Sequence, residues 1–346
     1  MHSKSSLQTG YKINKISQVT NDQLSDFYKK IYKQRYKSLT NNWRWWYRVG
    51  HNEFEPLIIS LNNKKVIGQA AYLPTDLNIL GKKVPAIWFV DYAILPEFKG
   101  KGLGKIMYKE WMKICSNQMA ICSDDSLRVL KKFGWKDNYA VKRLTKPINP
   151  LNFLPIVKNL KLNFANAALR YFMKKKYSSN TSINPYKIND NFKILNESFK
   201  LKKNLQNKEF VTIIRDEKWL HWRLMECPYR KDIYFFEYKN NFAIVHIFFK
   251  DVKRLNILYT YSTDKLHENE LYSHISNWAI NNAIDVLWAI NRSTELKNIF
   301  PPIFSKTLKF ASWSSDEKIL EILQHGLLDL QGIDTDTDSC LYVDES

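Results

Sequence analysis

Apolar and polar positions alternate along the first third of the chain in short runs separated by turn residues. Residues 11–17 read as a strand, and a helix is expected from Gln23 to about Tyr36, capped by Asn21 or Asp22, with Leu24, Phe27, Ile31 and Tyr32 near helical spacing. Residues 57–61 and 66–74 read as strands joined by the polar connection Asn62-Asn63-Lys64-Lys65, which suits a hairpin. Residues 77–80, Gly81 and residues 84–95 repeat the scheme as a meander that Pro96 ends. A glycine-rich loop follows. Then Leu103, Ile106, Met107, Trp111 and Ile114 mark one side of a helix over residues 103–115. A strand at 118–122, a helix at 124–133 with Gly134 as its C-cap, and a closing strand at 139–144 complete a compact α/β unit ending near Lys146.

Residues 147–205 differ in character. Pro147, Pro150 and Pro155 punctuate them, and Phe164, Ala167, Ala168, Tyr171 and Phe172 suggest a basic amphipathic helix finishing in Lys174-Lys175-Lys176, followed by a turn-rich linker at 178–184. From residue 206 a helix is expected at 217–226, strands at 233–238, 242–249 and 255–261, a helix at 267–283, a strand at 286–290 and further helical segments beyond. The two parts echo one another: Trp43-x-x-Trp46 precedes a strand, Asn62-Asn63 and a second strand, while Trp219-x-x-Trp222 precedes a strand, Asn240-Asn241 and a second strand. Trp111 and Trp278 sit near the ends of corresponding helices. The glycine loop has no second copy, because residues 262–270 read Ser-Thr-Asp-Lys-Leu-His-Glu-Asn-Glu.

Composition narrows the setting. With 346 residues, 45% hydrophobic and 14% aromatic, the chain can build two cores. Its net charge of +19 favours anionic partners, whether a phosphorylated cofactor, a nucleotide-linked substrate, nucleic acid or an anionic membrane surface; charge alone does not choose among them, and Lys-rich usage carries part of it. Cys115, Cys122, Cys227 and Cys340 form no paired motif, which fits a reducing cytoplasm better than a disulfide framework or a zinc site. The N-terminus has no signal-peptide core and no apolar run is long enough to span a bilayer. No metal and no nucleic-acid partner are expected, and the sequence sets no oligomeric state.

The loop Phe98-Lys99-Gly100-Lys101-Gly102-Leu103-Gly104-Lys105 carries the chemistry. Pyrophosphate binding needs converging backbone N–H groups and positive charge, and a strand leading through a glycine-rich turn into a helix N-terminus supplies both. Gly100, Gly102 and Gly104 remove obstructing Cβ atoms; Lys99, Lys101 and Lys105 add charge. A Walker A loop is excluded because Ile106 follows Lys105, and a dinucleotide fingerprint would need a parallel βαβ unit rather than a meander.

The stretch from Val90-Asp91-Tyr92-Ala93-Ile94-Leu95-Pro96 through Gly104 resembles the central motif of the GNAT (GCN5-related N-acetyltransferase) superfamily: strand, proline, aromatic, then Arg/Gln-x-x-Gly-x-Gly/Ala. Lys99 stands at the Arg/Gln position. Lys132-Phe133-Gly134-Trp135 resembles the family's later Gly-aromatic ending, so the likeness covers roughly residues 11–146. It implies two tandem GNAT-like domains of the α/β (α+β) class, with mixed, mostly antiparallel sheets flanked by helices: an acyl-CoA-binding domain at 1–146, the helix and linker at 147–205, and a degenerate domain at 206–346. It implies acetyl-CoA, or another acyl-CoA, as co-substrate and an amine that attacks the thioester directly. Amides near Ala93 and Ile94 would hold the pantetheine arm and the carbonyl, and Lys99, Gly100, Lys101, Gly102, Leu103, Gly104 and Lys105 the pyrophosphate. The family's tyrosine acid is replaced by Leu130. Asp91 is then the leading base, with a structural carboxylate as the competing role; Asp124 could face the acceptor or cap a helix, and Tyr92 is a weaker acid.

Two other stretches stand out. Asp334-Thr335-Asp336-Thr337-Asp338 resembles the start of an EF-hand loop, but Ser339 replaces the turn glycine; acids on a strand end, facing solvent or a substrate hydroxyl, fit better. Trp219-Leu220-His221-Trp222-Arg223 with Pro228-Tyr229 resembles the second half of bacterial tandem acetyltransferases linked to polysaccharide or aminosugar modification. The competing reading makes both tryptophans core, pairs Arg223 with a carboxylate and packs His221. The acceptor suggested is a small amine such as a nucleotide-linked amino sugar. A Fem-type aminoacyl-tRNA-dependent transferase and a non-catalytic CoA-binding module stand as rivals.

Overall fold

The computed structural model describes residues 10–51, 54–138, 141–149, 168, 171–172, 175, 183–188, 210–250, 252–291, 305–325 and 327–335. The basic amphipathic helix and linker therefore lie almost wholly outside the described residues. The first half runs β1 (Tyr11–Lys15), α1 (Asn21–Ile31), α2 (Tyr36–Trp46), β2 (Leu57–Leu61), β3 (Lys65–Ile79), β4 (Lys82–Ile94), α3 (Leu103–Trp111), β5 (Asn117–Cys122), α4 (Asp124–Lys131), β6 (Lys136–Asp137) and β7 (Val141–Pro147). The second runs β8 (Tyr186–Lys187), β9 (Phe210–Ile213), α5 (Glu217–Leu220), β10 (Ile233–Tyr238), β11 (Asn241–Lys250), β12 (Val252–Tyr261), α6 (Lys265–Asn281), β13 (Val286–Asn291), β14 (Ser305–Ser314), α7 (Glu317–His325) and β15 (Leu327–Asp329). Among the described residues no helix is long and apolar enough to cross a membrane.

Local chemistry accounts for several boundaries. The cap of α1 is Thr20 rather than Asn21 or Asp22: its side chain accepts from the Gln23 amide while Gln23 accepts from the Thr20 amide, a reciprocal capping box. The helix stops at Ile31, short of the expected Tyr36, and α2 turns back on α1, where the Trp43 indole donates to Asn21 at 2.9 Å. Pro74 lies inside a strand of fifteen residues where one edge is unpaired among the described residues: β2 pairs with β3 only to Ala70, and β9 begins pairing at Leu77.

The strands form one mixed, mostly antiparallel sheet, ordered β1-β2-β3-β4-β5-β14-β7-β13-β12-β11-β10-β8. Two departures from the sequence reading shape the site. Residues beyond 300, read as helical, include the ten-residue strand β14, which pairs with β5 from Lys309↔Cys122 to Ser314↔Asn117. The closing strand, expected at 139–144, is β7 and does not pair with β5. β7 instead pairs with β14 on one edge and with β13 on the other, so each half lends a strand to its partner.

That exchange follows a pseudo-twofold relation centred on two tryptophans. Trp45 Nε1 donates to the Trp222 carbonyl at 2.8 Å, and Trp222 Nε1 donates to the Trp45 carbonyl at 3.0 Å. The hairpin turns Asn62-Asn63 and Lys239-Asn240, all with positive φ, stand the same 177 residues apart as those tryptophans. The echo in the sequence is thus real but one residue out of register. Trp219 and Trp222 are buried core residues, as read. Arg223 is buried and donates to the Ile333 carbonyl at 3.0 Å and the Tyr229 hydroxyl at 2.9 Å. His221 is exposed and bonds to Glu226 at 3.1 Å instead of packing.

Candidate active site

β4 and β5 are parallel, yet they pair only at Ile87↔Gln118 and Trp88↔Met119. Beyond those pairs β4 stays on β3 and β5 stays on β14, so the strands diverge and a cleft of about 950 Å³ opens between them. A bulge marks the same place, since Tyr72 faces Phe89 but Ala70 faces Tyr92. Among the described residues, backbone groups of β4 that point away from β3 there have no strand opposite and can meet a ligand. The ring of Phe89 stacks on Trp111 at 3.7 Å, giving the split an apolar wall.

The glycine loop closes one end. Gly100 and Gly102 have φ of +79° and +76°, a region that side chains rarely adopt, and Cβ atoms built there would meet nothing within 4 Å. The cradle is open. Gly102 is the N-cap of α3 and offers no side chain, so the first-turn amides of Leu103, Gly104 and Lys105 face a space that suits a phosphate. Lys99, Lys101 and Lys105 are exposed around it; the Lys101 ammonium sits 4.8 Å over the Phe98 ring. Ala93 and Ile94 end β4, half-buried and buried, at the lip of the loop.

The Tyr92 hydroxyl donates to the Gly104 carbonyl at 2.8 Å, and a Cβ on Gly104 would lie 2.9 Å from that oxygen. Burial pushes the Tyr92 phenol up to about 12. Its proton therefore stays on at neutral pH and braces α3 against β4. Asp91 is buried and fully engaged: Oδ1 accepts from Arg35 at 3.3 Å, and Oδ2 accepts from Arg35 at 3.2 Å and from the Tyr47 hydroxyl at 3.0 Å. Behind it, Gln69 donates to the Tyr47 oxygen and accepts from Tyr28, continuing a buried polar chain. Asp124 is exposed at the rim, on the first turn of α4 that Ser123 caps, with the Lys309 ammonium 3.9 Å away. Asp91, Tyr92 and Asp124 thus all line one cleft, in different states.

Leu130, in place of the family's tyrosine, is buried in the cleft wall. A phenol lines the same wall from another element: Tyr108 of α3 accepts from Trp135 Nε1 at 3.0 Å, and burial raises its pKa. The Cys122 thiol is pushed up to about 11 by burial, which keeps it a neutral wall group. Arg35, Tyr108, Arg143, Trp288 and Lys306 were not legible as site residues, because the partners that bring them here are distant in sequence. Of the EF-hand-like stretch, Asp334 faces neither solvent nor a substrate: it is buried and accepts from Arg215 at 2.7 and 2.5 Å, and residues 336–346 lie outside the described residues.

Residues 12–136 match the family model described as an acetyltransferase (GNAT) domain. Solved structures extend the likeness over both halves. A GCN5-related N-acetyltransferase from Kribbella flavida matches with a TM-score of 0.57 at 8% identity, covering 87% of this chain and 70% of that one. One from Anabaena variabilis gives 0.56 at 14%, covering 87% and 72%. Saccharomyces cerevisiae N-myristoyltransferase with bound myristoyl-CoA gives 0.58 at 13%, covering 89% and 79%. No curated protein sequence matches. The matched segment, residues 12–136, contains the splayed strands and the open glycine cradle and is similar to GNAT acetyltransferase domains, and the fold over both halves is that of the GNAT N-acyltransferases.

Proposed function

We propose that this chain transfers the acyl group of acyl-CoA, most simply acetyl-CoA, to a small amine such as a nucleotide-linked amino sugar. The observation that carries this is the open cradle at Gly100 and Gly102 leading directly into the β4–β5 split. A pyrophosphate bound by the α3 amides and the three lysines places the pantetheine arm along β4, beside Ala93 and Ile94, with the thioester near the bulge. Backbone N–H groups there stabilise the oxyanion as the amine adds, and thiolate leaves once the tetrahedral adduct collapses. Two GNAT-like units, at 1–146 and 206–346 with a connection at 147–205, would then divide donor binding from acceptor recognition.

The three polar groups take distinct parts in this reading. Asp91, with both oxygens occupied, is a positioning residue that holds Arg35 in the cleft wall. Asp124, at the rim, is the carboxylate with room to accept the proton of the attacking amine. Tyr92 braces the loop. Acetyl-, octanoyl- and myristoyl-CoA, each offered with nucleotide sugars, amino acids and peptides, should release CoA thiol with at least one amine, and acetyl-CoA should raise the melting temperature. No thermal shift together with no release would sink the proposal.

A further inference from the structure

Lys309 of β14 stands where an attacking amine would stand. It pairs with Cys122, the last residue of β5, so the two side chains rise from the same face of the sheet, and both line the cleft. Its ammonium lies 3.9 Å from Asp124 Oδ1, the carboxylate with room to take a proton. The pair is loose: the Lys309 side chain is half-exposed, Asp124 is more so, and exposed pairs at such a distance hold weakly. The level is right as well. β4 and β5 last pair at Trp88↔Met119, and Cys122 lies three residues beyond Met119, about 10 Å along the strand at the usual rise. The β4 bulge between Phe89 and Tyr92 lies one to four residues beyond Trp88. Lys309 is therefore level with the bulge, across the split from it. Other amines and thiols of the cleft are worse placed. Lys105 belongs to the pyrophosphate end, Lys306 lies a further three residues past the end of β5, and burial pushes the Cys122 thiol up and keeps it neutral.

We propose that Lys309 is itself acylated by the acyl-CoA bound in the same chain. This rests on the transferase reading and adds a modification site to it. Asp124 takes one proton from the Lys309 ammonium, and the free amine adds to the thioester carbonyl carbon. The C–S bond breaks as the amide C–N bond is completed, and the departing thiolate takes the second proton from nitrogen. The products are Nε-acyl-Lys309 and CoA thiol, and the proton on Asp124 passes to water. The acylated side chain carries no charge. It no longer pairs with Asp124, which is left to an incoming amine.

The test incubates the full chain with isotope-labelled acetyl-CoA and no added amine, and maps acetylated lysines by peptide mass spectrometry. Lys309 should be acetylated at least tenfold faster than Lys113 and Lys318, exposed lysines outside the cleft, of which Lys113 also pairs with a carboxylate, Glu110, at 2.7 Å. At fixed acetyl-CoA, tenfold dilution of the chain should leave the rate constant unchanged, as a reaction within one chain requires. Gly102→Glu, in the cofactor loop, should bring Lys309 down to the rate of Lys113, and Asp124→Asn should slow it at least tenfold. Labelling of Lys309 no faster than of Lys113, a rate constant that falls on dilution, or labelling unaffected by Gly102→Glu or by Asp124→Asn would overturn self-acylation. Thiol release to an added amine with no label on Lys309 removes self-acylation and leaves the transferase standing. No label, no thiol release and no thermal shift with acetyl-CoA would remove both.

Discussion

Two helices begin in equivalent places, each after the first strand of a splayed parallel pair, and they treat an anion in opposite ways. α3 starts at Gly102, left-handed and without a side chain, so its first-turn amides face open space. α6 starts at Asp264, whose carboxylate accepts from the His267 amide at 2.9 Å and so supplies the anion itself. The strand splits differ in the same sense. Between β4 and β5 lies the cleft; the β12 backbone at the corresponding split is met by residues 331–335. Gln331 accepts from the Thr260 amide at 2.7 Å and donates to the Thr260 carbonyl at 3.1 Å, while Gly332 packs so closely that a Cβ would lie 3.1 Å from the Ile257 carbonyl. Arg215, bonded to Asp334 and Asp329, holds that segment down. Two similar strand-to-helix junctions can therefore differ in openness while both stay folded. What distinguishes them is whether their own side chains satisfy the backbone groups a ligand would use.

The comparison breaks most sharply at Gly102. Gly102→Glu places a carboxylate where α3 now offers bare amides, copying the state of α6. Calorimetry should show acetyl-CoA affinity reduced by at least about 100-fold, roughly 3 kcal/mol, with the circular dichroism spectrum unchanged. Gly102→Ala isolates the backbone strain, about 1–2 kcal/mol for a left-handed residue, and should weaken binding far less. Unchanged affinity in the glutamate variant would remove the phosphate from this loop.

A second difference lies at Gln69 and His246, which stand the same 177 residues apart as the paired tryptophans. Gln69 is buried within the chain of hydrogen bonds that reaches Asp91, whereas His246 stacks on Tyr229 at 4.1 Å with Nδ1 buried and unpartnered. Burial, then the nearby Arg223 charge, lower the His246 pKa to about 3. The unfolded chain binds a proton there near pH 6.5 and the folded chain does not, so stability is complete above that pH and is lost as pH falls toward 3. The slope should approach about 1.4 kcal/mol per pH unit from this residue. Urea titrations at several pH values should show it, and His246→Gln should flatten it; an identical slope in the variant would refute the assignment.

Gln331→Ala tests the filled split. It strips partners from both backbone groups of Thr260, and an unsatisfied buried group costs about 1–3 kcal/mol. The melting temperature should fall while acetyl-CoA affinity and a stoichiometry of one per chain hold. A weakened acetyl-CoA Kd would mean that the two splits communicate.

These differences also show what the sequence could convey. The loop was legible because strand, proline, glycines and lysines lie within one short stretch, and Asp91 was found because it enters that loop. Arg35 was not, since it meets Asp91 across 56 residues and sits at a helix junction that periodicity blurred into one helix. β14 was lost for the same reason on a larger scale: Ser314 bonds to Asn117 across 197 residues, and nothing local announces such a partner. The tryptophan echo was visible as a pattern, but its register needed the reciprocal indole bonds. The missing glycines in the second half pointed to a contrast between the loops, yet not to the segment over β12, because Gln331 acts there as a substitute for a strand's backbone.

The smallest effect sharpens the comparison most finely. If absence of glycine alone disabled the second half, uncovering the start of α6 would begin to restore anion binding. The filled split argues otherwise, because a cofactor needs both a free helix terminus and a strand edge to lie along. Asp264→Ala should therefore cost about 1 kcal/mol or less through the lost cap, seen as a small drop in melting temperature, and calorimetry should still count one acetyl-CoA per chain. A second binding event would mean that the helix cap, not the filled split, decides which half of the molecule takes the cofactor.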